Sequence, residues 1–152
     1  MALAPLRITE DRALRTARLR MVAALVFLPP VTELTRLVLT ELTTEEVALL
    51  ICLDAQMAVI NCTELARGTV NAVDFNVRRV VELALRSKAS YVILAHNHPG
   101  GRARMSREDD AVTERVFKAL ELINIRLYDH IIVAGGEYAS IHDLGGMRLY
   151  SY

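Results

Sequence analysis

The chain has 152 residues, of which 53% are hydrophobic and 24% charged, and its 18 basic and 18 acidic residues leave a formal net charge of zero. A composition this apolar excludes an intrinsically disordered chain, and the length fits one globular core. The balanced charge excludes a global electrostatic field that would concentrate DNA or RNA, so any contact with nucleic acid must be local.

The cysteines and one short apolar run bear on the cellular compartment. Cys52 and Cys62 lie in apolar stretches and form no CxxC unit, so we expect free thiols and no disulfide. Residues 18–28 carry two arginines before an apolar run and resemble part of a signal peptide, but they lack a small-residue cleavage site. The run is also shorter than the ~20 residues of a membrane span. We therefore expect a cytoplasmic protein that makes no membrane contact.

Apolar periodicity divides the chain into helices and strands. The spacing of Val77, Val80 and Ala84, with charged residues between them, is typical of an amphipathic helix. Short apolar runs bounded by polar residues or glycines are typical of buried strands. The predicted elements, in chain order, are helices at residues 9–27 and 31–40, strands at 47–53 and 57–62 that form a hairpin, a helix at 74–86, a strand at 89–95, a helix at 106–123, and strands at 126–134 and 138–141.

These elements predict the fold class and the domain organisation. Strands mixed with covering helices favour an α/β fold, and specifically a three-layer αβα domain with a mixed sheet. We divide the chain into an N-terminal helical extension at residues 1–42 and one domain at residues 43–152. No internal repeat or low-complexity tract interrupts the chain.

A cluster of polar residues ends the third predicted strand. His96 and His98 are two residues apart, so their side chains point to the same face of the strand and can meet one ion. Pro99 and the glycines after it end the strand, which places both imidazoles at its mouth. Asp109 falls in the first turn of the next helix, where its carboxylate can supply a third ligand. Three ligands leave the fourth tetrahedral position for water, as in catalytic zinc sites.

Each part of this cluster has an alternative interpretation. Nitrogen and oxygen ligands without a thiolate favour zinc, but iron and manganese also bind such sets. A His-x-His pair is often a polar part of the core, and Ser106 followed by Asp109 is a good helix N-cap signature. Capping and ligation are compatible, because Ser106 can cap while Asp109 turns its oxygens to a metal. We interpret His130 as a structural residue and His142 as a surface residue.

Several motifs follow one another along the chain. They are Glu46 ahead of Leu53-Asp54, Gly68-Thr69, Arg78, Ala95-His96-Asn97-His98-Pro99, Ser106-x-x-Asp109, Asp129-His130-Ile131-Ile132-Val133 and Gly135-Gly136-x-Tyr138-x-Ser140. In these motifs the sequence resembles the RadC-like branch of the JAMM (MPN-plus) metallopeptidase-like domains, over about residues 46–146. It departs from that branch at residues 100–105, which read Gly-Gly-Arg-Ala-Arg-Met in place of a Ser-Gly-Asp-Pro-Thr-Pro-like stretch, and at residues 76–79. The altered loop keeps its length and is more basic.

The resemblance implies a fold of the JAMM/MPN type, which shares its layering with cytidine deaminases, and a zinc hydrolase that cleaves amide or isopeptide bonds of a protein or peptide. By resemblance, the zinc ligands are His96, His98 and Asp109, Glu46 is the general base, and Ser106 helps to stabilise the oxyanion. Without the family, Glu46 would be interpreted as a surface residue beside a second acid, Glu45. The number of residues between the acid and Leu53-Asp54 favours Glu46 over Glu45 as the base.

Two other functions compete with hydrolysis. The resemblance to RadC implies, as the first of these, a DNA-repair-associated accessory protein. Arg102, Arg104 and Arg107 lie beside the predicted site and would give it weak, local DNA contacts. The other is a non-catalytic scaffold for protein contacts, but such scaffolds usually lose metal ligands and this chain keeps all three. Separately, the apolar composition is compatible with a homo-oligomer. Base deamination is disfavoured, because the chain lacks the His-x-Glu and Pro-Cys-x-x-Cys motifs of zinc deaminases.

Overall fold

The computed structural model describes residues 45–68 and 76–142. The predicted helices at residues 9–27 and 31–40 lie outside the described residues, as does the boundary proposed at residue 42. The elements of the described part are β1 (Glu46–Leu53), β2 (Val59–Gly68), α1 (Val77–Arg86), β3 (Tyr91–Asn97), α2 (Arg107–Glu121), β4 (Arg126–Ala134) and β5 (Glu137–Ser140).

The second strand differs most from its prediction at residues 57–62. It begins later because the carboxylate of Asp54 accepts hydrogen bonds from the backbone N–H groups of Gln56 and Ala58, at 2.9 Å each, which extends the turn. Met57 completes this turn in the left-handed region, with φ 64°. The strand also continues to Gly68, because it pairs with β1 along nearly the whole of that strand. Its second half is only partly buried, so it lacks the continuous apolar run on which the prediction relied.

The sheet has the order β2-β1-β3-β4-β5 within the described residues. β1 pairs antiparallel with both β2 and β3, β3 pairs parallel with β4, and β4 pairs antiparallel with β5. The parallel pair is joined through α2, as parallel strands require a crossover. The sheet is therefore mixed, and the α/β fold class predicted from the sequence is confirmed.

Both faces of the sheet are buried. Leu50, Leu94 and Leu127 point to the side that α1 and α2 cover, whereas Leu49 and Ile131 belong to the opposite side. Because β1 is buried on both faces, it forms the continuous apolar run seen in the sequence. Within residues 45–68 and 76–142, both helices lie on one side of the sheet, so the second helical layer of the predicted αβα arrangement stays a prediction.

The two cysteines are buried in this core and are free, as predicted. Burial raises the pKa of the Cys52 thiol to about 11 and that of the Cys62 thiol to about 12. Both side chains therefore remain protonated and unreactive at neutral pH. Among the helices that the structure describes, none has the length and apolar character that a membrane crossing requires.

Candidate metal centre

Three chain segments meet at the end of the sheet where β1 begins and β3 ends. Because β1 and β3 are antiparallel, the beginning of β1 lies beside the end of β3, and Ala48 pairs with His96. The chain then turns away from β3 and enters α2, whose first turn returns to the same end. The predicted site residues lie in these three segments: Glu46 in the first, His96 and His98 in the second, and Ser106 and Asp109 in the third.

The turn after β3 fixes the second histidine. The N–H of Gly101 donates to the carbonyl of His98 at 3.1 Å, Pro99 occupies the second position, and Gly100 has φ +67°, as in a type II turn. A Cβ at Gly101 would lie 3.1 Å from the Cβ of His98, so a larger residue would push against the histidine. The glycines that open the altered loop thus allow His98 to face the site.

The two imidazoles meet at their Nε2 atoms. His96 Nε2 and His98 Nε2 are 2.8 Å apart, and the ring centroids are 4.7 Å apart. The period-two alternation of a strand therefore places both rings on one face, as expected. His96 is buried and His98 is partly exposed, so the pair lies at the boundary between the core and solvent.

Asp109 completes the group from the first turn of α2. Its Oδ1 is 3.1 Å from His96 Nε2, and its Oδ2 is 3.5 Å from His98 Nε2. Burial opposes ionisation of Asp109, but hydrogen bonds from His96 and His98 outweigh it and hold the pKa of this carboxyl well below its usual range. The carboxylate is therefore charged at neutral pH.

A capping box holds the carboxylate in place. Ser106 Oγ accepts a hydrogen bond from the N–H of Asp109 at 3.0 Å, and Asp109 Oδ2 accepts one from the N–H of Ser106 at 2.8 Å. The Ser106 hydroxyl also donates to Asp109 Oδ2 at 2.6 Å. One carboxylate thus serves both the helix cap and the histidine pair, so the two interpretations of this motif are compatible in the structure.

The far side of the His98 ring binds the altered loop. Its Nδ1 lies 3.1 Å from the carbonyl oxygen of Arg102, and because a carbonyl only accepts, Nδ1 carries the hydrogen. A hydrogen bond with Asp109 raises the pKa of His98. The contact with the loop uses only the backbone, so it does not depend on the side chains by which residues 100–105 depart from the family pattern.

These three side chains fit a divalent metal ion. Their ligand atoms all lie within 4.8 Å of one another. Tetrahedral zinc with bonds of about 2.0–2.1 Å separates its ligand atoms by roughly 3.3 Å, close to the spacing found here. Two imidazole nitrogens and one carboxylate oxygen are also the donor set of catalytic zinc sites.

The structure distinguishes the two adjacent acids at the start of β1. Glu46 lies two residues before Ala48 and so shares the face of His96, and its charge contributes to the raised pKa of His98. Glu45 is exposed and forms an ion pair with Arg67 at 3.4 Å. Glu46, and not Glu45, therefore lies on the site's side of the sheet.

Residues 30–146 match the family model described as RadC-like JAB domain. This match covers more than half of the chain. The chain belongs to the RadC-like JAB domain family. The resemblance in the sequence motifs is thereby confirmed. JAB domains include metallohydrolases and are typically zinc-dependent, and a His-His-Asp group of the expected kind is present in this structure.

Two residues of this RadC-like JAB domain, His130 and Asn97, make contacts that were not foreseen from the sequence. His130 was expected to be structural, and it is buried in the core, but its Nε2 also lies 2.9 Å from His96 Nδ1. Burial and the nearby His96 lower the pKa of His130 well below its usual value. Thr113 Oγ1 contacts His130 Nδ1 at 2.7 Å. The signal in the sequence is a threonine four residues after Asp109, on the buried face of α2.

Asn97, which lies between the two histidines in the sequence, is the second residue whose contacts were not foreseen. Its Oδ1 accepts a hydrogen bond from the N–H of Val47 at 2.7 Å, and its Nδ2 donates to the carbonyl of Glu45 at 2.9 Å. The asparagine is 4% exposed and holds the backbone on both sides of Glu46. A buried amide that ends an apolar strand must find partners, but the sequence does not show where they are.

Replacing Asn97 with aspartate is expected to loosen the start of β1. A carboxylate can still accept from Val47, but it cannot donate to the carbonyl of Glu45, and the free energy of unfolding should fall by about 1–3 kcal/mol because a buried hydrogen bond is lost. Hydrogen exchange of the amides around Glu46 should accelerate, whereas exchange in α2 should not. Equal protection in the variant and the parent would contradict this role of Asn97.

Proposed function

We propose that this protein is a zinc-dependent hydrolase that cleaves amide or isopeptide bonds in a peptide or protein. The observation that carries the proposal is the convergence of three atoms that can each serve as a metal ligand, His96 Nε2, His98 Nε2 and an oxygen of Asp109. When neither Nε2 carries a hydrogen, lone pairs this close repel one another unless they share a cation. A site that holds three such atoms together on rigid elements is suited to a metal ion.

The bound metal would supply Lewis acidity, which makes water a nucleophile near neutral pH and polarises a carbonyl group. His96, His98 and Asp109 would hold it, and fewer than four protein ligands leave room for a substrate. Glu46, which shares the face of His96, would take a proton from the attacking water through a carboxylate oxygen. The same oxygen can return that proton to the leaving amine, which completes an amide cleavage.

Ser106 is proposed to donate a hydrogen bond to the oxyanion. Its hydroxyl donates to Asp109 Oδ2 in this structure, so it must rotate to reach a substrate. The rotation is feasible because the N–H of Ser106 also donates to Oδ2, which leaves that oxygen with a partner. The hydroxyl can therefore serve the transition state without releasing the carboxylate.

The variant Ser106→Gly separates these roles, because glycine at an N-cap costs only a few tenths of a kcal/mol relative to serine. We expect kcat at saturating zinc to fall by roughly 10²–10³-fold, the effect of removing one oxyanion donor. Ser106→Thr retains a hydroxyl and serves as the control. An unchanged kcat with weaker zinc binding would assign the hydroxyl to the support of Asp109 alone.

The proposal is tested by loading the purified chain with zinc and incubating it with a mixture of peptides and with isopeptide-linked proteins. Cleavage products are identified by mass spectrometry. We expect cleavage that disappears when a chelator removes the metal and returns when zinc is added back. Restoration by iron or manganese but not by zinc would retain the hydrolase and correct the metal. A zinc-loaded chain that cleaves no member of these sets would count against a peptidase.

A DNA-associated function is a second candidate, since the side chains of Arg102, Arg104 and Arg107 are exposed beside the site. Exposed acids at Glu108 and Asp110 lie among them and weaken the local positive potential. Three phosphate contacts would give an affinity that falls with salt with a logarithmic slope of about −3. Binding to duplex DNA that is absent at low salt, or that does not weaken as salt increases, would exclude this function.

A further inference from the structure

A chain of buried polar side chains runs from α2 through β4 to the candidate metal centre. Thr113 is 0% exposed, His130 3% and His96 7%. Thr113 Oγ1 lies 2.6 Å from the carbonyl oxygen of Asp109 and 2.7 Å from His130 Nδ1, and His130 Nε2 lies 2.9 Å from His96 Nδ1. Each atom in this series is within hydrogen-bond distance of the next, and solvent reaches little of it.

Counting hydrogens along this series fixes the direction of each bond. A carbonyl only accepts, so the single hydroxyl hydrogen of Thr113 is donated to Asp109. Toward His130 the hydroxyl can then only accept, which places a hydrogen on His130 Nδ1. A fully buried imidazole favours its neutral form, so His130 Nε2 carries a lone pair and accepts. His96 Nδ1 must therefore carry the hydrogen between the two rings.

We propose that Thr113 and His130 form a hydrogen-bond relay that holds His96 in the tautomer with hydrogen on Nδ1, so that the lone pair of Nε2 faces the metal centre. His130 is thus a positioning residue, which acts through His96. A neutral imidazole has two tautomers, and only this one can bind a metal through Nε2. The relay is anchored on the backbone of Asp109 itself, so it also couples the first turn of α2 to the position of the His96 ring.

The hydrogen-bond partner of His96 in this relay differs in chemical type and charge from the partners that metal-ligating histidines usually have. Such histidines generally donate to a carboxylate, a backbone carbonyl or water. Here the partner is a second, neutral imidazole inside the core, so orientation is achieved without burying a second negative charge. The other ligand, His98, donates from Nδ1 to the carbonyl of Arg102. Both rings therefore present Nε2 to the centre, one held from the core and one from the loop.

The relay rests on the proposed function only in the role of His96 as a ligand, and its first test needs no metal. Nitrogen-15 NMR of the metal-free chain of 152 residues distinguishes the two tautomers of each ring, and alkaline pH keeps His98 neutral despite its raised pKa. We expect hydrogen on Nδ1 for both His96 and His130. Hydrogen on Nε2 of His96 would overturn the relay, whether or not the protein binds zinc.

The second test removes the acceptor at the start of the relay. Thr113→Val preserves the shape of the side chain but cannot accept from His130, so we expect the His96 tautomers to mix and zinc affinity to fall by about 10–100-fold, the usual loss for an outer partner of a metal ligand. Thr113→Ser keeps the hydroxyl and should restore both. Zinc affinity in Thr113→Val equal to that of the parent would contradict the relay. Failure of the parent to bind zinc, with His96 still protonated on Nδ1, would refute the proposed function and leave the relay standing.

Discussion

Replacing Asp109 with asparagine is expected to abolish stoichiometric zinc binding. The substitution keeps the size of the side chain and an oxygen for the capping box, but it removes the negative charge beside His96 and His98. Loss of an outer partner of a metal ligand costs about 10–100-fold in affinity, and loss of an anionic ligand should cost more than about 100-fold. Isothermal titration of the metal-free chain with zinc measures the change.

Glu108→Gln provides the matched control for this substitution. Glu108 lies in the same turn of α2 and is exposed, so its replacement removes the same charge from the same end of the helix. Because it is not one of the converging side chains, zinc binding should stay within a few-fold of the parent. Asp109→Asn that binds zinc as tightly as Glu108→Gln would show that the carboxylate is not a ligand.

Replacing Glu46 with glutamine is expected to abolish hydrolysis and to leave zinc bound. The amide has nearly the shape of the carboxylate but cannot accept a proton from water, and loss of a general base costs roughly 10²–10⁴-fold in rate. The zinc content of the variant should match that of the parent, because Glu46 is not part of the converging group. Steady-state kinetics on any peptide that the parent cleaves, with zinc measured in the same preparation, gives both quantities.

Glu45→Gln is the corresponding control. It changes the preceding acid, which forms an ion pair with Arg67, and it leaves intact the backbone carbonyl that Asn97 binds. We expect kcat within about two-fold of the parent, since an exposed ion pair contributes only ~0–1 kcal/mol to stability. If Glu45→Gln loses activity and Glu46→Gln does not, the base has been assigned to the wrong acid.

Local patterns account for the parts of the site that lie close together in the chain. The alternation of a strand places His96 and His98 on one face, and the N-cap signature places Asp109 in the first turn of a helix. Both inferences concern residues that are only two or three positions apart in the sequence. The roles of these three residues as metal ligands remain predictions. The role of Glu46 as general base also remains a prediction, and it rests on the family resemblance because the local sequence alone would make Glu46 a surface residue.

These local patterns do not predict contacts between residues that are far apart in the sequence. His130 is 34 residues from His96, and Asn97 is 50 residues from Val47. Neither periodicity nor capping indicates which strands become neighbours, and these contacts exist only because β3 lies between β1 and β4. The second half of β2 was missed for a related reason, because pairing with β1 maintains a strand whose own residues are only partly apolar.

X-ray absorption at the zinc edge of the purified, zinc-loaded chain, together with its zinc content, tests whether His96, His98 and Asp109 bind zinc. We predict one zinc ion per chain with nitrogen and oxygen ligands at about 2.0–2.2 Å, two of them imidazoles, and no sulfur at about 2.3 Å. A chain that retains no zinc after buffer exchange, or a spectrum that shows thiolate ligands from the cysteines, would contradict a metal centre at His96, His98 and Asp109.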